Sequence, residues 1–333
     1  MLDLPWLRLC PACLARQWRG WVLGTLLLAK LAGPAAGQFP IQPRKPAVPA
    51  ASRPITALPP DPPAVREKLL QAATLTKSFK DSEALAVYQE ILKTTPNHFL
   101  SLCQAAVLSV KIGSRYSDET RKAAYFDAGR LYADRALLLR PEGGESNYAV
   151  ALALFNQATL YKAGARLRAF WDLRSHVYLA TERRPEAAEG WQLLGRWQYR
   201  VAHYNVLERL YSRLVLGGVP DGGDSREAMD DLEKARNLAP NNLQFCYDLA
   251  RMCRYQGRRR RAIAVLREAE RIPPITSEDL VISRLCRQML PPLLRADTRR
   301  QQRSSRLKQK KSPRIIQPPI ASPAPSDTVS RKQ

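Results

Sequence analysis

Arg196 and Arg251 occupy matching places in two neighbouring stretches of this chain, the first following Gln192 and the second following Tyr247 by four residues. Two guanidinium groups so placed could grip a carboxylate or a phosphate, since each planar fork of N–H donors fits two acceptor oxygens at once. The plainer account makes Arg251 a solvated side chain and Arg196 a structural one. A second basic group lies near the C-terminus: Arg299, Arg300, Arg303, Arg306, Lys308, Lys310 and Lys311, with Gln and Ser between them and no aromatic residue. Proteins that hold single-stranded nucleic acid interleave aromatic side chains to stack on bases. Their absence points to an electrostatic contact with an anionic lipid or glycan surface and away from nucleic acid, with a merely solubilising tail as the alternative.

Catalytic chemistry finds little to work with. The P-loop, H-E-x-x-H and G-x-S-x-G patterns are all missing. His98, His176 and His203 lie far apart, each on a separate helical stretch, and read as partly exposed helix residues. The loop Gly218–Asp224 carries two carboxylates without the alternating oxygen ligands of a calcium loop, so it reads as a helix connection. Asp230 and Asp231 would be the paired carboxylates of a glycan-cleaving alternative, but they fall on a polar helix face where solvation accounts for them. Cys10 and Cys13 form a C-x-x-C with no second ligand pair, a poor zinc site. No catalytic residue, metal or cofactor is expected.

The elements that must position the two arginines are helices. Pro240 and Pro274 are 34 residues apart, one period of a helix-turn-helix unit. Within it Leu249, Ala250, Ala262, Leu266 and Ala269 fall where two antiparallel helices approach each other. The preceding unit carries Trp191, Leu194 and Gly195, the W-x-x-L-G of the tetratricopeptide repeat, and then Ala228, Leu232, Ala235 and Pro240. Small residues leave room for the partner helix, and each proline ends a pair where the chain must turn. The expected fold is all-α: a solenoid of about five helix pairs over 64–294, closed by a capping helix from Thr276 to Leu290 before Pro291-Pro292. In this register the first helix of each pair lines a concave face, and Gln192, Arg196, Tyr247 and Arg251 point into it to meet a protein or peptide. Asp81 is expected to N-cap a second helix, Asp224 with Glu227 to form a capping box, and the helix from Trp191 to run on through Leu214. Between Pro96 and Pro141 eleven extra residues must form a loop or longer helix ends.

Outside the helical body the composition changes. Nine prolines lie in 38–63 and five between Pro313 and Pro325, which sets 38–63 as a linker and 295–333 as a disordered basic tail. The net charge is +23; the tail alone has eleven Lys or Arg against two Asp, and the body is basic as well, which suits anionic partners. Residues 1–37 read as a signal peptide: Arg8, Arg16 and Arg19 precede an apolar run from Trp21 to Ala29, and Ala35-Ala36-Gly37 resembles a cleavage site. The run is short of a ~20-residue span, and an uncleaved anchor through residues 18–37 is the alternative. Cys246 and Cys253, seven apart on one helix, are too distant for a disulfide and read as buried thiols, with Cys103 and Cys286 undetermined.

Gly195-Arg196-Trp197, the long aromatic helix after it, Gly217-Gly218-Val219-Pro220, the repeat ending at Pro240, the inserted loop of the second pair and the exit Pro274-Ile275-Thr276 together resemble the regulator of microtubule dynamics family over about 64–290. The resemblance implies a tetratricopeptide-like domain with an adaptor role, associated in eukaryotic members with microtubules or membrane contact sites, and no catalytic residue. The combined expectation is a non-enzymatic scaffold of an exported or envelope compartment. The alternatives are a helical-repeat enzyme acting on glycan or cell wall, and a membrane-anchored tether.

Overall fold

The computed structural model describes residues 61–311, with side chains as far as Arg306. These residues form helices and, among them, no strand. In order they are α1 (Pro63–Lys77), α2 (Asp81–Thr94), α3 (Phe99–Arg115), α4 (Glu119–Leu139), α5 (Gly144–Gln157), α6 (Ala163–Arg183), α7 (Ala188–Ala202), α8 (Val206–Val215), α9 (Ser225–Leu238), α10 (Leu243–Tyr255), α11 (Arg259–Ala269) and α12 (Ser277–Lys311). The targeting segment 1–37, the Pro-rich stretch as far as Pro60, Cys10, Cys13 and residues 312–333 lie outside the described residues. No described helix is long and apolar enough to cross a membrane.

The prolines act as the repeat requires. Thr95, Arg140, Arg184 and Ala239 each end a second helix and share one conformation, with φ from −129° to −139° and ψ from 68° to 86°. Each precedes a proline, whose ring drives the residue before it out of the helical region. In all four turns the residue three further on, His98, Gly143, Ala187 or Asn242, donates its N–H back to that carbonyl at 3.1 Å. One local rule therefore sets the angle between successive pairs.

Packing then builds the solenoid. The first helices touch in series, α3 to α5 to α7 to α10 to α12, and α2, α4, α6, α9 and α11 each pack on the first helix that follows. Small residues sit where helices come closest: Ala84, Ala105, Ala106, Ala133, Ala136, Ala228, Ala235, Ala250 and Ala262 are fully buried. A Cβ on Gly195 would stand 2.7 Å from the Ala228 carbonyl oxygen, so only glycine lets α7 lie against α9 at this distance. The fold is a tetratricopeptide-like solenoid of five pairs, with α8 inserted in the fourth. α12 takes the place of a sixth first helix and covers the apolar end of α10 and α11.

Four expectations need correction. The helix expected from Trp191 to Leu214 breaks after Ala202, and α8 starts anew behind Asn205, which forms a capping box with Glu208. Asp81 does not cap α2; it is buried, holds Lys111 at 3.0 Å and also pairs with Arg115 on α3. Asp224 accepts from the Arg226 and Glu227 N–H groups, but its own N–H bonds the Gly222 carbonyl, so the box is not reciprocal. Finally, the tail is not disordered from Arg295: α12 runs through Pro291 and Pro292 to Lys311. A proline inside a helix costs about 3 kcal/mol. Buried Cys286, Met289, Leu290 and Leu293 flank this pair and pack in the core with α10 and α11, which offsets that cost. The extra residues of the second pair lengthen its helices to 17 and 21 residues, joined by Tyr116–Asp118.

Two within-pair turns close in the same way with different residues. After α10, Gly257 at φ +72° carries a Schellman closure, with Arg258 N–H on the Cys253 carbonyl at 2.8 Å. After α1 the same closure, Lys80 N–H to Leu75 carbonyl at 2.9 Å, has Phe79 at φ +59° in the glycine position. A Cβ in this left-handed region costs about 1–2 kcal/mol, and Phe79 is half-exposed, so little packing is lost on removing it. Phe79→Gly should raise stability by about 1 kcal/mol. Urea unfolding followed by circular dichroism checks it, and a lower midpoint would contradict the strain assignment.

Candidate functional site

Of the first-helix residues singled out by the sequence, Gln192 and Arg196 converge on Asp248 of α10, the helix that also carries Tyr247 and Arg251. Gln192 on α7 donates its side-chain N–H to the Asp248 carboxylate on α10 at 2.7 Å, and Gln244 donates to the same oxygen at 3.0 Å. Arg196 Nε lies 3.9 Å from that oxygen, while its guanidinium sits 4.6 Å over the Phe155 ring of α5. Arg251, one turn beyond Asp248, places its guanidinium 6.0 Å from the Tyr247 ring centre. Asp248 is 2% exposed and Gln192 8%, so these two form the floor, and the half-buried Arg196, Tyr247 and Arg251 form the wall above it. The site was only partly legible, because Asp248 carried no signal of its own. Its partner Gln192 is 56 residues away, a pairing visible only once α7 and α10 are side by side.

One charge in this site is unbalanced. Asp248 has Arg196 within ion-pair distance, whereas Arg251 pairs with no carboxylate and its Nε is buried without a hydrogen-bond acceptor among the described residues. A buried guanidinium N–H left unbonded is costly. Further along α7, Tyr199 stacks on His203 at 4.1 Å, and His203 Nε2 meets the Gln256 amide at 3.2 Å.

The remaining candidates are structural. His98 N-caps α3, its ring accepting from the Ser101 N–H, and His176 contacts the Asn147 side-chain oxygen at 2.8 Å. Burial lowers the His176 pKa, with nearby Arg130 adding to the effect. Asp230 is exposed, but Asp231 is half-buried between α9 and α7 rather than solvated, and burial raises its carboxyl to about 6 although Gln198 bonds it. A carboxyl raised in the folded state stabilises below its unfolded pKa and loses that contribution as pH climbs through the folded value. Asp231→Asn should therefore stabilise the domain at pH 8 by about 1–2 kcal/mol, the full shift being discounted because the carboxyl keeps part of its contact with water, and hardly at pH 4. Equal shifts in unfolding midpoint at both pH values would contradict this.

Cys103, Cys246, Cys253 and Cys286 are buried free thiols. Burial pushes Cys103 and Cys286 up to about 12 and raises the other two. Since the thiolate is the reactive form, all four should resist alkylation at pH 8 in the native chain and label fully in urea. Peptide mass spectrometry reads each site separately, and rapid native labelling of any of them would contradict their burial.

The model of the family described as regulator of microtubule dynamics protein 1-3 matches residues 69–294, most of the helical domain. The chain belongs to that family. The rat regulator of microtubule dynamics protein 3 is 28% identical over 169 residues, which cover 49% of this chain and 34% of the rat protein. The Xenopus laevis protein of the same name is 23% identical over 205 residues, covering 61% of this chain and 42% of that one. The chain thus matches less than half the length of these relatives. Among solved structures, a thermophilic tetratricopeptide protein of Thermus thermophilus is similar, with a TM-score of 0.49 and 15% identity over 68% of this chain and 100% of that one.

The family match ends at Leu294, within α12, one residue past the last buried apolar side chain, Leu293. Beyond it Arg299, Arg300, Arg303 and Arg306 are exposed on a helix instead of a disordered arm. Lys308, Lys310 and Lys311 belong to the same helix, and their side chains are outside those described. Another surface of this regulator-family domain went unread in the sequence. On α8, Val206, Leu207 and Leu214 are each more than 75% exposed, and Leu210 is 51% exposed. Its inner side is held by Glu208, which pairs with Arg200 and lies 3.5 Å from Arg166.

Proposed function

We propose that this chain is a non-enzymatic protein-binding scaffold in which the surface shared by α5, α7 and α10 takes an acidic peptide segment. The observation that carries the reading is Arg251, half-buried beside Tyr247 with no carboxylate in ion-pair range among the described residues, while Asp248 one turn earlier is already occupied by Gln192, Gln244 and Arg196. A peptide carboxylate laid against Tyr247 would accept from Arg251 and balance the second guanidinium. Charge-assisted, bidentate pairing of this kind is among the stronger polar contacts a surface can offer.

The test is affinity capture by the full chain from its native source, comparing wild type with Arg251→Glu and with Arg267→Glu, an exposed change on α11. Partners held by wild type and by Arg267→Glu but lost with Arg251→Glu support the reading. Equal loss in both variants points to net charge alone and defeats it. Because the family is named for microtubule dynamics, purified tubulin is a defined arm of the same comparison.

Two further parts of the proposal concern attachment. The N-terminal charge and apolar pattern supports delivery to a membrane, with export after cleavage; a mature chain beginning at Gln38 supports export, and one retaining residues 1–37 in the membrane pellet supports a tether. The exposed arginines of α12 support contact with an anionic lipid or glycan surface. Sedimentation with anionic vesicles should then fall on truncation after Leu294 and at high salt, where the Debye length is ~3 Å.

A further inference from the structure

A cleft of about 680 Å³ opens between the start of α11 and the exposed half of α12, away from the α7–α10 surface. One wall carries Arg258, Arg259, Arg260 and Arg261, and the other carries Arg300 with the hydroxyls of Ser304 and Ser305. Asp297 is the one carboxylate lining it. That carboxylate already accepts from Gln301 at 2.6 Å and has Arg260 at 3.9 Å. Arg261 is engaged by Glu233 at 2.8 Å. Arg258, Arg259 and Arg300 have no carboxylate within ion-pair distance among the described residues.

Like charges converging on one opening raise its potential and repel one another, and here the helix adds to the effect. The first turn of α11 has no acidic residue and no side-chain cap, so the positive end of its dipole faces the same arginines. The backbone N–H groups of Arg259, Arg260 and Arg261 find no acceptor, the first intrahelical bond being Ala262 N–H to the Arg258 carbonyl at 3.1 Å. On α12, Arg300 and Ser304 are four residues apart and share the face that looks into the cleft. The donors therefore come from three sources: guanidinium forks, backbone amides and hydroxyls. A carboxylate offers too few oxygens to use them together. A group of phosphates, each with several acceptor oxygens and a charge near −2, does.

We propose that this cleft binds a small polyphosphorylated ligand, either a soluble one or the headgroup of a phosphorylated lipid. Arg258, Arg259 and Arg300 neutralise its phosphates and the α11 amides and Ser304 hydrogen-bond their oxygens. Glu233 and Asp297 hold the neighbouring arginines in place from the rim. The site is independent of the peptide surface; it shares Arg300 with the anionic-surface contact proposed for α12, and the soluble probe separates the two.

The experiment is calorimetric titration of the full chain with inositol hexakisphosphate at about 150 mM salt, where the Debye length is ~8 Å, with vesicles carrying a phosphatidylinositol bisphosphate as a second arm. Wild type should bind, and Arg259→Glu with Arg300→Glu should weaken binding at least tenfold. Both positions are exposed, so the fold is retained, as circular dichroism would verify. Arg267→Glu paired with Arg254→Glu makes the same charge change at exposed positions outside the cleft and should shift affinity less than twofold. Binding of the soluble compound alone assigns a soluble ligand; binding of the vesicles alone assigns a headgroup. No binding in either arm would overturn the proposal. So would equal weakening by the two charge-matched doubles, or tighter binding of a single-stranded RNA than of either phosphate probe.

Discussion

Trp197→Ala should destabilise the domain by about 3–5 kcal/mol, the range for emptying a fully buried tryptophan site. Trp197 has no exposed surface, and its ring sits among Leu167, Phe170, Leu173, Val177 and Leu193, where the third and fourth pairs join. Its Nε1–H donates to the Phe170 carbonyl at 2.8 Å, and its ring meets Tyr178 edge-on at 5.8 Å. Alanine removes that volume at a point where α6 and α7 are fixed to their neighbours, so they cannot simply close over the gap. Trp191, the aromatic residue of the repeat pattern, is a contrast in the same helix. It is half-buried, bonds the Pro185 carbonyl at 2.8 Å and carries Lys234 over its ring at 3.3 Å. Its loss should cost about 1–2 kcal/mol through the lost hydrogen bond and cation–π contact. Against a total stability of about 5–15 kcal/mol, the Trp197 change would leave the domain partly unfolded near physiological temperature. Urea unfolding by circular dichroism separates the two, and a Trp197→Ala midpoint at or above that of Trp191→Ala would overturn the packing account.

The second large effect belongs to Asp248. Replacing it with alanine strips the Gln192 and Gln244 amides of their acceptor and leaves Arg196 without its nearby carboxylate. Hydrogen bonds to a charged group contribute about 1.5–3 kcal/mol, and breaking a buried charge cluster from one side costs more than the pair contributes intact. A loss of about 3 kcal/mol is expected, discounted because Arg196 keeps part of its hydration. Asp248→Asn keeps the shape and one acceptor oxygen and should lose about half as much. Chemical denaturation of the two variants checks the order. Asparagine costing as much as alanine would show that the charge, and not the hydrogen-bonded floor, is what matters.

Why some of this was legible in the sequence and some was not has physical reasons. The register of Pro96, Pro141, Pro185 and Pro240 with buried small residues is local, and four turns of one geometry follow from it. The α7–α8 break was hidden because Val201, Tyr204, Leu207, Leu210 and Leu214 keep a helical spacing across it. The real signal was the Asn205-x-x-Glu208 capping box, which stops one helix and starts the next. The later part of that apolar spacing, Leu207, Leu210 and Leu214, is exposed, so periodicity alone overstated the core. Pro291-Pro292 misled in the opposite direction, since a local rule was overridden by burial of residues on both sides. At the candidate site the arginines and Tyr247 followed from the repeat register, whereas Asp248 needed the neighbouring helix to be seen. The cleft between α11 and α12 was invisible for a related reason: a chain read as disordered after Leu294 cannot form a wall.

Whether the scaffold receives its partner on the α7–α10 surface is decided by site-specific photocrosslinking in the native source. A photoreactive residue replaces Tyr247 in one version of the full chain and Arg267, exposed on α11, in the other. A discrete crosslinked partner is expected from position 247, abolished by Arg251→Glu, and none from position 267. Crosslinks of equal yield from both positions, or a partner at 247 indifferent to Arg251→Glu, would contradict a binding surface there.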